Sequence, residues 1–135
     1  MVDKLDHEVQ NICCLYPTSP LLRTHTLNES FKTFSSGDFD SLVPVCQFSY
    51  PPQRSLILKD NHLEFNFSEF EKTRSQDLES WYHDAGQFYW ITDSALKSQE
   101  SLFTAKTGSF LLDELTVQDI DNELDWKLAE IKYKL

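Results

Sequence analysis

The stretch HDAGQFYW, residues 83–90, places three consecutive aromatic residues directly after a polar, glycine-containing entry. Aromatic side chains favour strands, whereas a glycine in a strand marks a bulge, a bend or a close approach of another backbone or a ligand. Residues 86–91 are therefore predicted to form a strand. Two interpretations of its start remain open: a core strand with an irregular entry, or the wall of a polar pocket.

The segments before this stretch predict two further strands and a helix. The apolar run 11–16, stopped by Pro17, indicates a buried strand. A helix is predicted over about 26–35, beginning near Thr24 or Thr26, and Thr26 followed by Glu29 matches the capping-box pattern. Residues 42–50 indicate another strand, expected to be broken or at a sheet edge because proline cannot donate to a ladder, and Pro44 lies within it.

The remaining segments predict a β-hairpin and a C-terminal helix. Residues 55–67 carry alternating apolar residues on both sides of a polar Asp60-Asn61 turn, which is typical of a hairpin. Asn122 is a favourable N-cap for a helix over 123–134, and Asp125 completes a capping box. An apolar stripe with helical spacing follows, formed by Leu124, Leu128, Ile131 and Leu135.

Strands that alternate with helices predict an α/β fold with a mainly parallel sheet, interrupted by the hairpin. A length of 135 residues fits one domain. The three cysteines, Cys13, Cys14 and Cys46, have no zinc-site spacing and are expected to be buried thiols.

Composition also limits the partners. A formal net charge of −10 argues against a nucleic-acid surface, which needs clustered lysine and arginine. No apolar run approaches the ~18 residues of a membrane span, and the first ten residues lack the apolar core of a signal peptide. We therefore expect no membrane contact and a cytoplasmic protein.

Three polar groups are candidate site residues. Asp119 and Asp121, two apart before a helix, would project to the same side of an extended chain, where Mg²⁺ could relieve their repulsion. The alternative is that both are solvated. Thr18 and Ser19 lie in a stiff loop that follows a strand, where α/β sheets bind ligands, although many such loops only connect elements.

The third group is the segment TRSQDL, residues 73–78. It supplies Arg74, Gln76 and Asp77, which suit a carboxylate or sugar hydroxyls. From the residues alone, a polar helix start with Ser75 as the N-cap is the preferred interpretation.

Three motifs, CCLYPTSPLL, TRSQDLESWYHDAGQFYW and VQDIDNELDWKLAEIKYKL, together resemble the acylneuraminate cytidylyltransferase (CMP-sialic acid synthetase) family in order and spacing. The second motif is similar to the pseudaminic acid cytidylyltransferase branch, and the resemblance covers essentially the whole chain. It implies a Rossmann-like α/β nucleotidyltransferase sheet. It also implies transfer of CMP from CTP to a nine-carbon acidic (nonulosonic) sugar, with Mg²⁺ as cofactor and pyrophosphate as product.

The same resemblance assigns roles to residues. It implies that Asp119 and Asp121 are the metal-binding, catalytic pair. It implies that the hairpin region, residues 50–70, is a protruding dimerisation element of a homodimer. With the residues of the TRSQDL segment included, the predicted substrate-binding residues are Tyr16, Thr18, Ser19, Arg74, Gln76, Asp77, Gln87 and Tyr89.

The sequence departs from the family pattern in two respects. Tyr16 stands before PTSP where sialic acid branches often have a glutamine, and the second departure is the decisive one. A basic, glycine-containing loop that holds the CTP phosphates is absent, as is the strand that follows it. We therefore expect residues 1–135 to form a single, partial domain with an N-terminally truncated sheet and an exposed edge. The alternative to an active enzyme is an inactive fragment, or one half of a split enzyme, that acts as an oligomerisation or sugar-binding module.

Overall fold

The computed structural model of the chain describes residues 8–135, which divide into two compact units. The first unit comprises residues up to 46 and residues 84–135, and the second comprises residues 47–83. The seven N-terminal residues, part of the stretch used above to argue against a signal peptide, lie outside the described residues. No helix in the described part is long and apolar enough to cross a membrane.

The elements alternate much as the sequence predicts. The strands are β1 (Asn11–Leu15), β2 (Ser41–Gln47), β3 (Leu56–Lys59), β4 (His62–Phe65), β5 (Tyr82–Asp84), β6 (Phe88–Thr92) and β7 (Thr107–Leu112). The helices are α1 (Thr24–Ser36), α2 (Asp93–Gln99) and α3 (Glu123–Tyr133). The helices predicted over 26–35 and 123–134 are thus confirmed, and the chain has a mixed α/β structure.

The prediction of a mainly parallel sheet is wrong. The five-stranded sheet has the order β1-β6-β2-β5, with β7 also paired to β2. Strand β6 is antiparallel to both β1 and β2, and β7 is parallel to β2. It follows that β1, β2 and β7 run in one direction. The alternation of strands and helices predicts that these three strands are parallel. It does not predict that β6 lies between β1 and β2 and runs in the opposite direction.

Pro44 does not break β2 or move it to an edge, and that prediction is also wrong. The residue is fully buried, with β7 on one side of the strand and β6 and β5 on the other. Its carbonyl accepts from Ala85 N at 2.9 Å, so the missing N–H points to the same side of β2. On that side β6 pairs only with Ser41 and Leu42. Proline is therefore tolerated because its N lies beyond the end of the β2–β6 ladder.

In the first unit α1 packs against β6, and the buried core includes residues of the two central strands. Phe88 and Ile91 of β6 and Leu42 of β2 are completely buried. Trp90 donates its indole N–H to the buried Ser30 Oγ at 2.9 Å, and its ring lies 4.8 Å from that of Phe31. A buried polar pair of this kind fixes the position of α1 along the sheet more strictly than apolar packing alone.

The two longer helices begin differently. Helix α1 starts at Thr24 after Arg23, which makes no side-chain capping bond, so the predicted capping box at Thr26 is wrong. Helix α3 has the predicted box, because Asn122 accepts from Leu124 N and Asp125 N while Asp125 accepts from the N-cap backbone. The apolar stripe of α3 is exposed. The buried residue of the helix is Ala129, which lies outside that stripe.

The second unit contains β3 and β4, which pair antiparallel in a separate two-stranded sheet. Asp60 and Asn61 connect them with positive φ angles of 46° and 63°, which short polar side chains tolerate. The buried Gln53 donates its amide to Glu79 O at 2.8 Å. Phe67 lies outside β4 and packs edge-on against Trp81.

We expect Asn122→Ala to lower the free energy of unfolding by about 1 kcal/mol, since alanine cannot accept from the two N–H groups at the start of α3. Urea unfolding followed by circular dichroism measures the change. The control is Asn28→Ala, at an exposed position inside α1, where alanine is the better helix former. Equal losses of stability in the two variants would contradict this role of Asn122.

Candidate functional site

The loop after β1 is hydrogen-bonded to Gln87, the residue before β6. Tyr16 N donates to Gln87 O at 2.9 Å. Ser19 Oγ lies 2.8 Å from Tyr16 O and 3.0 Å from Gln87 O, and its hydroxyl proton is directed at these carbonyls. Toward a ligand, Ser19 therefore offers acceptor lone pairs rather than its proton. Thr18 is exposed beside it.

The turn that joins β5 to β6 depends on Asp84 and Gly86. Gly86 has a φ of +62°, a conformation that side chains with a Cβ rarely adopt. Asp84 Oδ1 accepts from Gly86 N at 2.9 Å, which closes the turn. Asp84 Oδ2 accepts from the hydroxyl of Tyr89 at 2.7 Å. The structure thus matches the first interpretation of this stretch, a core strand with an irregular, polar entry.

Tyr89 is buried and lies against the exposed ring of Tyr16. Their ring centroids are 5.2 Å apart and tilted by 55°. Burial of the phenol, together with its hydrogen bond to Asp84, raises the pKa of Tyr89 well above its ordinary value. Tyr16, by contrast, offers 43% of its surface to solvent.

Gln87 joins β6 to the segment that carries the aspartate pair. Its side chain is 2% exposed and donates to Thr116 O at 2.6 Å. Lys132 of α3 fixes the same segment by donating to Glu114 O at 2.9 Å and to Val117 O at 2.6 Å. The loop, β6 and the residues before α3 are thereby held as neighbours.

Two cavities lie along this junction. A cavity of about 390 Å³ is lined by residues of the loop and of α3, including the cations Arg23 and Lys132. A second cavity of about 220 Å³ is lined by Pro20 and by Ile120, the residue between Asp119 and Asp121. The predicted loop and the predicted aspartates are therefore brought to one region of the first unit.

The aspartates themselves are exposed. Asp119 Oδ1 accepts from Ile120 N at 3.0 Å, and Asp121 N donates to Asp125 Oδ2 at 3.0 Å as α3 begins. Within residues 8–135, no three acidic, histidine or cysteine side chains gather as a metal-binding group. Two carboxylates fit Mg²⁺, which keeps several waters and completes its octahedron with substrate phosphates.

Arg74, Gln76 and Asp77 lie in the second unit. Residues 75–77 form a single 3₁₀ turn with Arg74 at its N-cap, so the interpretation preferred from the residues alone, a helix start capped by Ser75, is wrong. Arg74 Nε pairs with Asp77 Oδ2 at 2.9 Å, and both side chains are exposed. An exposed pair of this kind contributes little to stability.

Sequence reasoning missed Asp84, Arg23 and Lys132. For Asp84 the signal was present, because an aspartate two residues before a glycine is typical of a turn closed by a side-chain oxygen. No pattern in the sequence predicts that Arg23 and Lys132 line a common cavity. They are brought together only by the packing of the loop against α3.

Comparison with known proteins confirms the resemblance found in the sequence. The chain is 37% identical over 126 residues to a pseudaminic acid cytidylyltransferase of Campylobacter jejuni, a match that covers 93% of the chain and 54% of the relative. It is 38% identical over 119 residues to a Helicobacter pylori protein named pseudaminic acid cytidylyltransferase and UDP-2,4-diacetamido-2,4,6-trideoxy-beta-L-altropyranose hydrolase, covering 87% of the chain and 23% of that protein.

A more distant relative is N-acylneuraminate cytidylyltransferase B of Danio rerio, 28% identical over 130 residues, which covers 94% of the chain and 30% of the relative. No family model matches the chain. The chain spans about half the length of the Campylobacter relative.

Gly86→Ala is expected to destabilise the fold by about 1–2 kcal/mol, the cost of forcing a residue with a Cβ into the left-handed region. No atom lies within 4 Å of the position that the new Cβ would take, so the cost is conformational and not steric. The control is Gly86→Asn, which adopts positive φ more readily and should lose less stability in thermal unfolding. A larger loss for asparagine than for alanine would show that space, and not φ, governs this position.

Proposed function

The chain is a homologue of the pseudaminic acid cytidylyltransferases over 93% of its length, and from this we propose that it forms part of a cytidylyltransferase acting on a nonulosonic acid. The reaction joins a hydroxyl oxygen of the sugar to the α-phosphorus of CTP. The bond between that phosphorus and the β-phosphate bridging oxygen breaks, and pyrophosphate leaves as the hydroxyl loses its proton. The cytoplasm, where CTP is made, is the proposed compartment.

The observation that carries the proposal is the convergence of the loop, β6 and the aspartate segment. Ser19 binds Gln87 O, Gln87 binds Thr116 O, and Pro20 and Ile120 line one cavity. These contacts support a single site assembled from the three motifs of the resemblance. A charged substrate entering there would meet a loop that hydrogen bonds already hold in place, which lowers the entropy cost of binding.

Within this site we assign roles by exposure. Tyr16 and Thr18 are exposed and are proposed to contact the sugar directly. Ser19, Gln87 and Tyr89 are proposed to shape the same pocket, since their polar atoms already bind the protein. Arg74, Gln76 and Asp77, exposed residues of the second unit, are proposed to bind an acidic sugar on the strength of the resemblance alone.

Asp119 and Asp121 are proposed to hold Mg²⁺ together with phosphate oxygens. When bound, the cation would neutralise charge on the triphosphate and on the leaving pyrophosphate. Both carboxylates are exposed and lie where α3 begins.

We expect the chain alone to release little or no pyrophosphate from CTP, since the cavity has few cations for a triphosphate and Lys132 already donates to two carbonyls. Each lost charge-assisted hydrogen bond costs roughly 1.5–3 kcal/mol, so two or three would weaken CTP binding by orders of magnitude. Fusion to the remainder of the Campylobacter relative should restore turnover with pseudaminic or neuraminic acid. Turnover by the chain alone would refute this expectation.

In the active fusion, we expect Asp121→Ala to lower the rate by at least about tenfold, because even outer-shell partners of a metal cost that much when removed. Glu123→Ala is the matched control, since it removes an exposed carboxylate two residues away at the start of α3. Equal rates for the two variants would exclude the metal assignment. Sugar binding without turnover in any fusion would favour the alternative, a sugar-binding module.

A homodimer through β3 and β4 is also proposed. Paired residues of antiparallel strands share a face, so Leu56, Leu58, Leu63 and Phe65 form one apolar face. Leu58 and Leu63 are 67% and 64% exposed. A two-stranded sheet with such a face is marginal in water unless it packs on something.

We expect Leu58→Lys to shift the chain from dimer to monomer in sedimentation velocity at micromolar concentration. Ile57→Lys is the control, because it places the same charge on the opposite face of β3, where Ile57 is 39% exposed. A wild-type protein that sediments as a monomer, or a dimer that Leu58→Lys leaves intact, would contradict the proposed interface.

A further inference from the structure

The larger cavity, of about 390 Å³, has a charge opposite to that of the chain. The described residues that line it include the cations Arg23 and Lys132, and none of those residues is acidic. The whole chain carries 12 lysine and arginine residues against 22 acidic ones, which gives a formal net charge of −10. The volume lies within the range of small-molecule binding sites. Two cations without an acid are therefore an exception in this chain, and they lie where a ligand has room.

The side chain of Arg23 has no role in the described fold. The residue is exposed and precedes α1, to which its side chain makes no capping bond. Within residues 8–135 it forms no ion pair, whereas Lys32 and Lys106 are paired with acids. A guanidinium carries five N–H donors in a planar fork that matches the oxygens of a carboxylate or a phosphate. Arg23 is thus available to bind such a group.

Lys132 keeps its positive charge although it is hydrogen-bonded. Its Nζ donates to Glu114 O at 2.9 Å and to Val117 O at 2.6 Å. An ammonium group has three N–H bonds, so one remains for a ligand. Because both partners are neutral carbonyl groups, no acid cancels the charge. The two bonds also hold the ammonium group in place, which lowers the entropy cost of binding a ligand there.

Apolar side chains form much of the remaining wall. They are Pro20, Leu21, Leu22 and Leu115, of which Leu21 is buried. Walls of this kind reduce the screening by water of the attraction between an anion and the two cations. They also favour a ligand that carries an apolar body beside its charged group, since most small-molecule sites combine apolar walls with a few polar groups.

We propose that the larger cavity binds a small oxyanion, a carboxylate or a phosphate group attached to a compact apolar body. The guanidinium of Arg23 binds two oxygens of the group, and Lys132 donates its third N–H to the same group. The bound anion then connects the segment before α1 with α3. This site requires neither CTP nor Mg²⁺, so it stands independently of the proposed function.

Benzoate and phenyl phosphate are suitable probes, because each joins one oxyanion to one apolar ring. Benzamide has nearly the shape of benzoate but no charge. Titration of the ¹⁵N-labelled chain, followed by NMR, gives the dissociation constants, and the amide signals of Leu22, Leu115 and Tyr133 report on the cavity. We expect saturable binding of at least one anion at millimolar concentration, and at least tenfold weaker binding of benzamide. The anion that binds more tightly identifies the ligand as a carboxylate or a phosphate.

Arg23→Gln removes one of the two charges at a side chain that makes no bond within residues 8–135, so the variant should fold as the wild type does. We expect it to weaken binding of the anion roughly tenfold, the value of one charge-assisted hydrogen bond, and to leave benzamide binding unchanged. Lys127→Gln is the matched control. It removes the same charge from an exposed position of α3 that lines neither cavity, and it should weaken binding less than twofold.

Equal weakening by Arg23→Gln and Lys127→Gln would show that the anion responds only to the overall charge, and would overturn the proposed site. Benzamide binding as tightly as benzoate would also overturn it, because the cavity would then select the ring and not the charge. The absence of saturable binding by both anions, or signal changes centred away from Leu22, Leu115 and Tyr133, would have the same consequence.

Discussion

The position of β6 is the constraint on which the rest of the first unit depends. It pairs with β1 along Phe88–Thr92 and with β2 at Ser41 and Leu42, antiparallel to both. Because β6 runs antiparallel to β1 and β2, it begins at the end of the sheet where those two strands end. The turn before β6 and the loop after β1 therefore lie at the same end, where Tyr16 N reaches Gln87 O. The site follows from this topology.

Local signals in the sequence predicted most elements, because they act over a few residues. The capping box at Asn122 and Asp125 could be recognised from spacing alone, and it defines the start of α3 in the structure. The capping box predicted at Thr26 failed although its spacing is equally good. Helix α1 begins two residues earlier, and its position is set by Trp90 and Ser30, a contact 60 residues apart in sequence.

Sheet direction and tolerance of Pro44 could not be predicted, because both depend on partners far along the chain. Proline is unfavourable in a central strand when its neighbour needs the missing N–H. Here the pairing of β6 with β2 ends at Leu42, and Ala85 approaches the carbonyl of Pro44 instead. In the same way, the hydrogen bonds of Asp84 could not be predicted, because they form only when a turn brings its carboxylate to both Gly86 and Tyr89.

Charge explains why the proposed reaction would need a metal at the aspartate pair. The formal net charge is −10, and several described cations are already paired with acids, among them Lys32, Lys97 and Lys106. Lys132, beside the larger cavity, donates to carbonyls of the segment that it fixes. A triphosphate approaching such a surface is repelled unless positive charge arrives with it. If the two exposed carboxylates recruit Mg²⁺ as proposed, the cation would bring positive charge to this acidic region and allow phosphate oxygens to approach it.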